Sequence, residues 1–445
     1  MDKFFNAESI VVIGASREEK KVGNVILKNL VNNYNGKLYA VNPNASEILG
    51  VKCCSSVSEI KDSLDLAVIA VQADLVPRII KECGKKKIKN VIVISSGFKE
   101  VGRYSLEKEL IKALNKYKVR AIGTNCLGIY DPNSRIDTLF LPYDRLKRPR
   151  IGGVGFVCQS GAVGSTILDL AAEENLGVSK FISYGNATDI DESDLIEYLA
   201  KDDDTKVICA YIEGVADGKK FLYAIRETAK IKPLVVIKGG TTTSGAKAAL
   251  SHTGSLAGSA EVYFGAFKQA HAIKADNFKD IFNFLKIFER CNKPEGNKIQ
   301  IITNGGGFGI LCADYVAENG LSLAELSKDT KKILKKKFPK IVVINNPLDL
   351  AGDATDERYR IAIEAMNNDK NVSIILAVVL YQTPLLTDGI VDILLESKKP
   401  VVVVATGSSL IAPIRKRLEA NGLAVYQFPE DAVKSIKALV EYYLP

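Results

Sequence analysis

The chain has 445 residues, a length that suggests about three domains, and its hydrophobic fraction of 47% is ample for several packed cores. Its formal charge of +8 is spread along the chain, and no stretch interleaves aromatic with basic residues, so nucleic acid is a poor candidate partner. The eight cysteines include no C-x-x-C pair, the start of the chain runs directly into a strand, and no apolar run approaches the ~20 residues of a membrane helix, so we expect a cytoplasmic protein without a metal site or membrane association.

Short β-branched runs alternate with amphipathic helical stretches along the whole chain, which predicts βαβ units and parallel sheets. The strands predicted in the first section are Ser9–Gly14, Lys37–Val41, Leu64–Val71, Asn90–Ser95 and Arg120–Ile122. A segment rich in proline and arginine, Leu141–Gly153, follows them and is interpreted as a domain boundary.

Two further sections repeat this plan, with a second break at Cys291–Lys298. Their predicted strands are Val154–Cys158, Ser179–Ser183, Lys206–Ile212, Pro233–Lys238, Ile299–Thr303, Val372–Leu380, Val401–Ala405 and Ala424–Gln427. Each section opens on a strand, a glycine-rich turn and a helix. Any two doubly wound folds would share these features, so an internal repeat and a coincidence both stay open.

The first βα turn, Ile13–Gly23, resembles a dinucleotide-binding fingerprint that lacks its middle glycine. A nicotinamide enzyme usually carries an acidic residue at the end of the second strand, whereas Asn42 and Pro43 stand there. Together with the basic Arg17 in the turn, this favours a ligand with an extra phosphate, such as coenzyme A, and leaves NADP as an alternative.

Two glycine-rich turns each end a strand and open a helix, and such a helix start is a ready anion site. In Gln159–Gly164 the turn either cradles a phosphate or simply closes a strand–helix pair. In Asn304–Gly309 three consecutive glycines allow close approach to an anion, and the irregular segment Asn345–Ala354 is expected to pack beside them. No G-x-x-x-x-G-K-[ST] motif is present, which excludes a P-loop.

His252 is one of only two histidines and lies in SHTGSLAG, within the long run of small residues Gly239–Ser259. A loop of this length suggests a functional histidine, although a surface or capping residue is the alternative. Glu213 follows an apolar strand, so it either orients an imidazole at the carboxyl edge of a sheet or is an exposed loop carboxylate. His271 falls in a helical pattern and is interpreted as structural.

The motifs GASR, VNP, SSGF, NCLG, QSGAVG, IEG, SHTGSLAG, NGGGFG and NPLDLAGDA occur in this order over essentially the whole chain. In combination they resemble the α chains of ADP-forming acetate–CoA ligases, relatives of succinate–CoA ligase. The resemblance implies an α/β fold of three domains: a Rossmann-like CoA-binding domain over residues 1–140, and two flavodoxin-like, succinyl-CoA-synthetase-like ligase domains over 150–291 and 297–445. The first of the two would carry the phosphohistidine loop.

The resemblance also implies the roles of individual residues. The catalytic pair would be His252, as the phosphate carrier, and Glu213, which would hold its imidazole. The implied phosphate-binding residues are Gln159, Ser160, Gly161, Gly306 and Gly307. The implied CoA contacts are Gly14, Ala15, Ser16, Arg17, Asn42, Pro43, Val71, Gln72, Ser96, Gly97, Asn125 and Cys126.

In the reaction that the resemblance implies, acyl-CoA, phosphate and ADP become a free acid, CoA and ATP through an acyl phosphate and a phosphohistidine. Nothing after Ala424 resembles an ATP-grasp domain, so a separate β subunit is expected to bind ADP or ATP with Mg²⁺, in an α2β2 assembly. The acid and the physiological direction are left open. The alternatives are a non-catalytic regulatory module that binds CoA or acyl-CoA, which the presence of His252 and Glu213 disfavours, and an NADP-dependent oxidoreductase.

Overall fold

The computed structural model describes residues 1–245 and 259–444. These residues form three β-sheets, built mainly from parallel strands that alternate with α-helices along the chain. The predicted fold class is therefore confirmed. Contacts divide the chain into two compact units, 1–276 and 277–445, and the boundaries predicted for three domains stay a prediction. None of the described helices combines the length and the hydrophobicity that a membrane span requires.

The first sheet has seven strands: β1 (Ser9–Ile13), β2 (Lys37–Val41), β3 (Glu47–Ile48), β4 (Val51–Cys54), β5 (Leu66–Ile69), β6 (Asn90–Val93) and β7 (Arg120–Gly123). Its helices are α1 (Val22–Asn33), α2 (Val76–Lys85) and α3 (Tyr104–Tyr117). The strand order β3-β4-β2-β1-β5-β6-β7 places the start of the chain near the centre, and every pair except β3 with β4 is parallel. β1 and β5 are buried at every residue, as is usual for the central strands of a parallel sheet.

Five strands of this sheet end at one level. The register pairs Val41 with Ile13, Ile13 with Ile69, Ile69 with Val93, and Val93 with Gly123. The turns that follow β2, β1, β5, β6 and β7 therefore lie side by side in that order. Since the chain leaves β1 in one direction and β5 in the other, the crevice above these two strands is a topological switch point.

The second sheet belongs to the same unit and contains β8 (Ile129–Asp131), β9 (Ile136–Asp137), β10 (Ile151–Cys158), β11 (Val178–Ser183), β12 (Val207–Ile212), β13 (Leu234–Lys238) and β14 (Ile273–Lys274). Its helices are α4 (Gly161–Glu173), α5 (Glu192–Lys201), α6 (Gly218–Ala229) and α7 (Ala260–Gln269). The order is β14-β13-β12-β10-β11-β8-β9, with β8 antiparallel to β11. β8 and β9 are absent from the predicted strands because strands of two or three residues are too short to show a hydrophobic period.

The second unit begins with α8 (Phe278–Arg290), in which Asn283 accepts a hydrogen bond from the Tyr426 hydroxyl at 2.8 Å. Its strands are β15 (Lys298–Thr303), β16 (Ser322–Leu323), β17 (Leu348–Asp349), β18 (Ile374–Val378), β19 (Val401–Val404) and β20 (Ala424–Tyr426). Its remaining helices are α9 (Gly306–Glu318), α10 (Lys328–Lys337), α11 (Asp356–Asn368), α12 (Ile390–Leu395), α13 (Ala412–Ala420) and α14 (Pro429–Tyr443). The strand order is β16-β15-β18-β19-β20, and β17 also pairs with β15.

Candidate functional site

The turn after β1 is shaped by two glycines. Gly14 has φ +92°, and a Cβ there would lie 2.3 Å from the carbonyl oxygen of Ala70, so no larger residue fits. A Cβ at Gly23 would lie 1.9 Å from the carbonyl oxygen of Gly14. The N-terminal turn of α1 therefore packs directly on the first turn, and Gly14 itself touches the end of β5.

The turn after β2 is tied to the first turn by side chains. The amide nitrogen of Asn42 donates to the carbonyl oxygen of Ala15 at 2.7 Å, and its side-chain oxygen accepts the N–H of Asn44 at 2.7 Å. The exposed guanidinium of Arg17 donates to the carbonyl oxygen of Asn44 at 2.9 Å. Asn42 therefore holds the backbone at the position where a nicotinamide enzyme would carry an acidic residue, and Pro43 follows it.

The turns after β5, β6 and β7 are joined through Ser95, a residue that sequence analysis did not single out. Its hydroxyl donates to the carbonyl oxygen of Val71 at 2.6 Å and lies 3.2 Å from the N–H of Val71. Its carbonyl oxygen accepts the N–H of Asn125 at 2.9 Å. The serine pair in SSGF was the available signal, but β6 ends at Val93, and the sequence does not decide which of Ser95 and Ser96 directs its hydroxyl to Val71.

Gly97 lies in the left-handed region, at φ +107°, and its N–H is donated to the carboxylate of Glu100. Burial opposes ionisation of Glu100, yet the N–H groups of Gly97 and Phe98 and the amide of Asn186 lower the pKa of this carboxyl. The N–H of Gly97 thus has a partner within the protein, and any contact of Gly97 with CoA would come from its other atoms.

A cavity of about 810 Å³ in the first unit lies where the turns of the first sheet meet those of the second. Nine of the predicted site residues line it, namely Val71, Gln72, Ser96, Asn125, Cys126, Gln159, Ser160, Gly161 and Glu213. The apolar side chains of Ile94, Leu127, Phe140 and Leu141 complete much of its wall. The cavity therefore brings together predicted CoA contacts, predicted phosphate contacts and the predicted catalytic carboxylate. Apolar walls with a few polar groups are typical of ligand pockets.

The other predicted CoA contacts do not line this cavity. Gly14, Ala15, Ser16, Arg17, Asn42 and Pro43 form the neighbouring turns of the same sheet edge, and Gly97 adjoins Ser96. They therefore lie in the row of turns that continues from the cavity along the carboxyl edge of the first sheet.

Gln159 directly follows β10, and its buried side chain supports the next loop. Its amide oxygen accepts the N–H of Glu213 at 2.7 Å, the N–H of Gly214 at 3.1 Å and the hydroxyl of Tyr184 at 3.3 Å. The sequence-based role of Gln159 in holding phosphate stays a prediction, whereas its observed contacts hold the loop of Glu213.

Ser160 and Gly161 form the start of α4. The hydroxyl of Ser160 caps the helix by accepting the N–H of Val163 at 3.4 Å, and Gly161 is the first helical residue. A Cβ at Gly161 would meet Leu127 at an ordinary 3.5 Å, so packing alone does not require glycine there. The positive end of a 13-residue helix dipole therefore adjoins the cavity, an arrangement that favours an anion.

Glu213 directly follows β12, and its carboxylate accepts a hydrogen bond from the hydroxyl of Tyr211 at 3.2 Å. Burial, followed by the charge of Glu213, raises the pKa of Tyr211 far above its usual value, so the hydroxyl stays protonated and serves as a donor. Gly239 makes room for this pair, because a Cβ there would lie 2.7 Å from the Tyr211 hydroxyl. Neither Tyr211 nor Gly239 was singled out from the sequence.

His252 lies outside the described residues, so its pairing with Glu213 stays a prediction. The other histidine, His271, follows α7 with φ +55°, and its N–H donates to the carbonyl oxygen of Lys268 at 3.2 Å. His271 therefore lies just beyond the end of α7 and not within a helix, and the structural role predicted for it stays a prediction.

In the second unit, α9 starts at Gly306, and the segment expected to pack beside this turn does so through β17. A Cβ at Gly306 would lie 2.6 Å from a carboxylate oxygen of Asp349, while one at Gly307 would meet nothing within 4 Å. Asp349 was not predicted as a site residue. Its negative charge occupies part of the space beside this helix start, so a phosphate at Gly306 and Gly307 would experience repulsion from it.

Comparisons with known proteins agree on one group of enzymes. Three protein-family models match: a CoA binding domain over residues 8–132, a succinyl-CoA ligase like flavodoxin domain over 151–288, and a Ligase-CoA domain over 299–407. The α subunit of acetate–CoA ligase (ADP-forming) II from Pyrococcus furiosus is 38% identical, over 99% of this chain and 97% of the relative.

Two further proteins show the same likeness. Acetate–CoA ligase (ADP-forming) from Methanocaldococcus jannaschii is 41% identical over 98% of this chain, which spans only 62% of that longer relative. Among solved structures, the dinucleotide-forming acetyl-coenzyme A synthetase 1 of Ca. Korarchaeum cryptofilum, in complex with phosphate and ADP, superposes with a TM-score of 0.93 at 37% identity, covering 99% of this chain and 96% of that one.

Proposed function

This chain belongs to the family of ADP-forming acetate–CoA ligase α subunits, and from that membership we propose that it catalyses the acyl and phosphoryl transfers of an ADP-forming acyl-CoA ligase. The reaction converts acyl-CoA, phosphate and ADP into acid, CoA and ATP. One observation carries the proposal: a single cavity is lined by turns of the CoA-binding sheet, by the start of α4 and by Glu213. The relatives are ligases, so the regulatory module and the oxidoreductase are not retained as functions.

In the first step, a phosphate oxygen attacks the thioester carbonyl carbon, the C–S bond breaks, and CoA leaves as a thiolate that takes up a proton. The product is an acyl phosphate. Ser160 and Gly161 would hold the phosphate through N–H groups at the start of α4, and the turns of the first sheet, with the cationic Arg17, would hold CoA. The apolar wall of Leu127 and Phe140 would exclude water from the thioester and the acyl phosphate.

In the second step, a ring nitrogen of His252 attacks phosphorus, the P–O bond to the acyl group breaks, and the carboxylate leaves. Glu213 would accept a hydrogen bond from the other ring nitrogen, which fixes the tautomer and stabilises the positive charge on the ring. The phosphoryl group then passes to ADP. Gln159 is retained as a further contact of the phosphate in this proposal, and Gly306 and Gly307, in the second unit, stay predicted phosphate-binding residues.

ADP or ATP with Mg²⁺ is proposed to bind to a separate β subunit with an ATP-grasp domain, in a cytoplasmic α2β2 enzyme. Two relatives of nearly equal length are named as α subunits, which supports a second subunit. The longer relative, of which this chain spans 62%, has room for the remaining function within one chain.

The test is transfer of label from [³²P]phosphate to the full chain in the presence of acetyl-, isobutyryl-, phenylacetyl- or succinyl-CoA. We expect acid-labile label with at least one thioester, its loss in His252→Ala, and a rate lower by about 100-fold in Glu213→Gln. His271→Ala is the matched control, since it removes the other histidine, and it should label normally. Label that survives in His252→Ala, or its absence from the unmodified chain with all four thioesters, would contradict the proposal.

A further inference from the structure

Lys238 ends β13, and the residue is only 7% exposed. Its ammonium group donates to the carbonyl oxygen of Glu213 at 2.7 Å and to the carbonyl oxygen of Gly239. It also lies 4.7 Å from the ring centroid of Tyr263, a cation–π distance. The buried ammonium group of Lys238 therefore binds the backbone of Glu213, the residue whose side chain is the proposed catalytic carboxylate.

Tyr263 lies on α7 and supports the same loop from another side. Its hydroxyl oxygen accepts the N–H of Val215 at 3.1 Å. Its ring packs near Phe267, with ring centroids 6.2 Å apart, and this contact anchors it to the core of the first unit. Neither Lys238 nor Tyr263 is among the predicted site residues, because nothing in the local sequence pattern marks them.

Together with Gln159, these side chains hold most of the polar backbone of the loop. Gln159 binds the N–H groups of Glu213 and Gly214, Lys238 binds the carbonyl oxygen of Glu213, and Tyr263 binds the N–H of Val215. The loop has no regular secondary structure of its own, so these bonds replace a strand or helix ladder in fixing its backbone.

Lys232 is a second lysine whose ammonium group binds backbone carbonyl oxygens, but at a distance from Glu213, so it serves as a comparison for Lys238. Lys232 precedes β13, and its ammonium donates to the carbonyl oxygens of Leu199 (3.1 Å) and Asp202. Burial lowers the pKa of both lysines, while nearby carboxylates oppose that shift, among them Glu213 for Lys238 and Asp202 for Lys232. Lys232 lies before the start of β13 and Lys238 is its last residue, and of the two only Lys238 contacts Glu213.

We propose that Lys238 and Tyr263 are positioning residues for phosphoryl transfer, which act by fixing the Glu213–Val215 loop so that the Glu213 carboxylate meets the imidazole in one geometry. The inference rests on the proposed role of Glu213 and extends it to residues that touch no substrate. In the sequence, Gly239 precedes and α7 follows the segment that contains His252. Lys238 contacts Gly239 on one side of that segment and Tyr263 on the other. It therefore links both sides of the segment to the Glu213–Val215 loop.

The experiment measures the single-turnover rate of histidine phosphorylation from acyl-CoA and [³²P]phosphate, beside the Kd of CoA from calorimetry. Lys238→Met should lower the rate about 10- to 100-fold, since small displacements of a catalytic group have effects of that size. Tyr263→Phe, which removes a single oxygen, should lower it less. The Kd of CoA should not change, because the CoA turns of the first sheet have other supports.

The matched controls are Lys232→Met and Tyr223→Phe, the latter an exposed tyrosine of α6. Both should phosphorylate at the normal rate. Lys238→Arg, which keeps the charge and the donors, should recover part of the lost rate. If Lys238→Met does not fold, Tyr263→Phe and Lys238→Arg decide the matter, since the first keeps the aromatic ring and the second keeps the positive charge.

Normal rates in Lys238→Met and Tyr263→Phe would overturn the inference. Equal losses in Lys238→Met and Lys232→Met, or a Kd for CoA that rises in step with the loss of rate, would overturn it too, because both results indicate a general structural role. These outcomes are distinct from failure of the proposed function, which would appear as label that survives in His252→Ala.

Discussion

The side-chain oxygen of Gln159 accepts the backbone N–H of Glu213 at 2.7 Å, so an amide at the end of β10 supports a carboxylate at the end of the adjacent strand β12. The same oxygen also binds Gly214 and the hydroxyl of Tyr184. The turn Gln159–Gly164, which is predicted from its sequence to bind phosphate, therefore also supports the loop of Glu213. It couples the start of α4 to the position of the proposed catalytic carboxylate.

We expect Gln159→Met to lower the rate of phosphorylation at least 10-fold, because Glu213 loses its support, and to lower the thermal stability of the first unit. Each buried polar group left without a partner costs about 1–3 kcal/mol. The control is Gln269→Met, an exposed position on α7. A single-turnover rate within twofold of the unmodified chain would show that the amide is dispensable.

Gly239→Ala tests the contact between Tyr211 and Glu213. The added methyl carbon would lie 2.7 Å from the Tyr211 hydroxyl, so the ring must move and its hydrogen bond to Glu213 must lengthen or break. Phosphorylation should slow about 10-fold or more while CoA binding is retained.

The matched substitution is Gly265→Ala on α7, where nothing lies within 4 Å of the new methyl group. We expect it to leave activity unchanged and to stabilise the helix by about 0.5–1 kcal/mol. Equal activity of the two glycine variants would argue against a role for the tyrosine contact.

Gly14→Ala should abolish measurable CoA binding in calorimetry, since the methyl group would clash with the Ala70 carbonyl at 2.3 Å and displace the first turn from β5. Gly50→Ala separates clash from backbone strain, because Gly50 also has positive φ, at +78°, but nothing lies within 4 Å of its Cβ position. Gly50→Ala should cost about 1 kcal/mol of stability and leave the Kd of CoA unaltered. If Gly14→Ala binds CoA with a normal Kd, the turn after β1 is not part of the CoA site.

Glu192, a buried residue in the first turn of α5, predicts a pH dependence of stability. Burial raises its pKa from 4.5 to about 7, and the neighbouring Asp191 and Asp194 act in the same direction. Because the folded-state pKa is the higher one, the stabilising contribution of the neutral acid is complete below pH 4.5 and is lost as the pH rises through 7. Glu192→Gln, which stays neutral, should therefore gain stability relative to the unmodified chain between pH 5 and pH 8, by up to about 3 kcal/mol.

The measurement is the difference in Tm between the variant and the unmodified chain at pH 5 and at pH 8. Glu197→Gln, a partly buried position on the same helix, controls for loss of a negative charge on α5. A Tm difference that is the same at both pH values would show that Glu192 is ionised across this range.

Much of the candidate site could be predicted because its residues directly follow strands. Asn42, Val71 and Asn125 each stand within two residues of a strand end, and the hydrophobic runs that predict the strands also locate those ends. The supports of the site could not be found in this way. Ser95, Lys238 and Tyr263 act through contacts with loops that are distant in the sequence, and a serine, lysine or tyrosine near a strand or helix end is too common to stand out.

The sequence by itself determined the fold class, the sites of the turns and the family, since these depend on local hydrophobic period and on motifs of a few consecutive residues. Only the tertiary structure decided which turns share a cavity, because strand order and register are set by packing between distant segments. It likewise decided that Gln159 faces Glu213 and that Asp349 stands at the start of α9, since both contacts join side chains to residues more than 40 positions away.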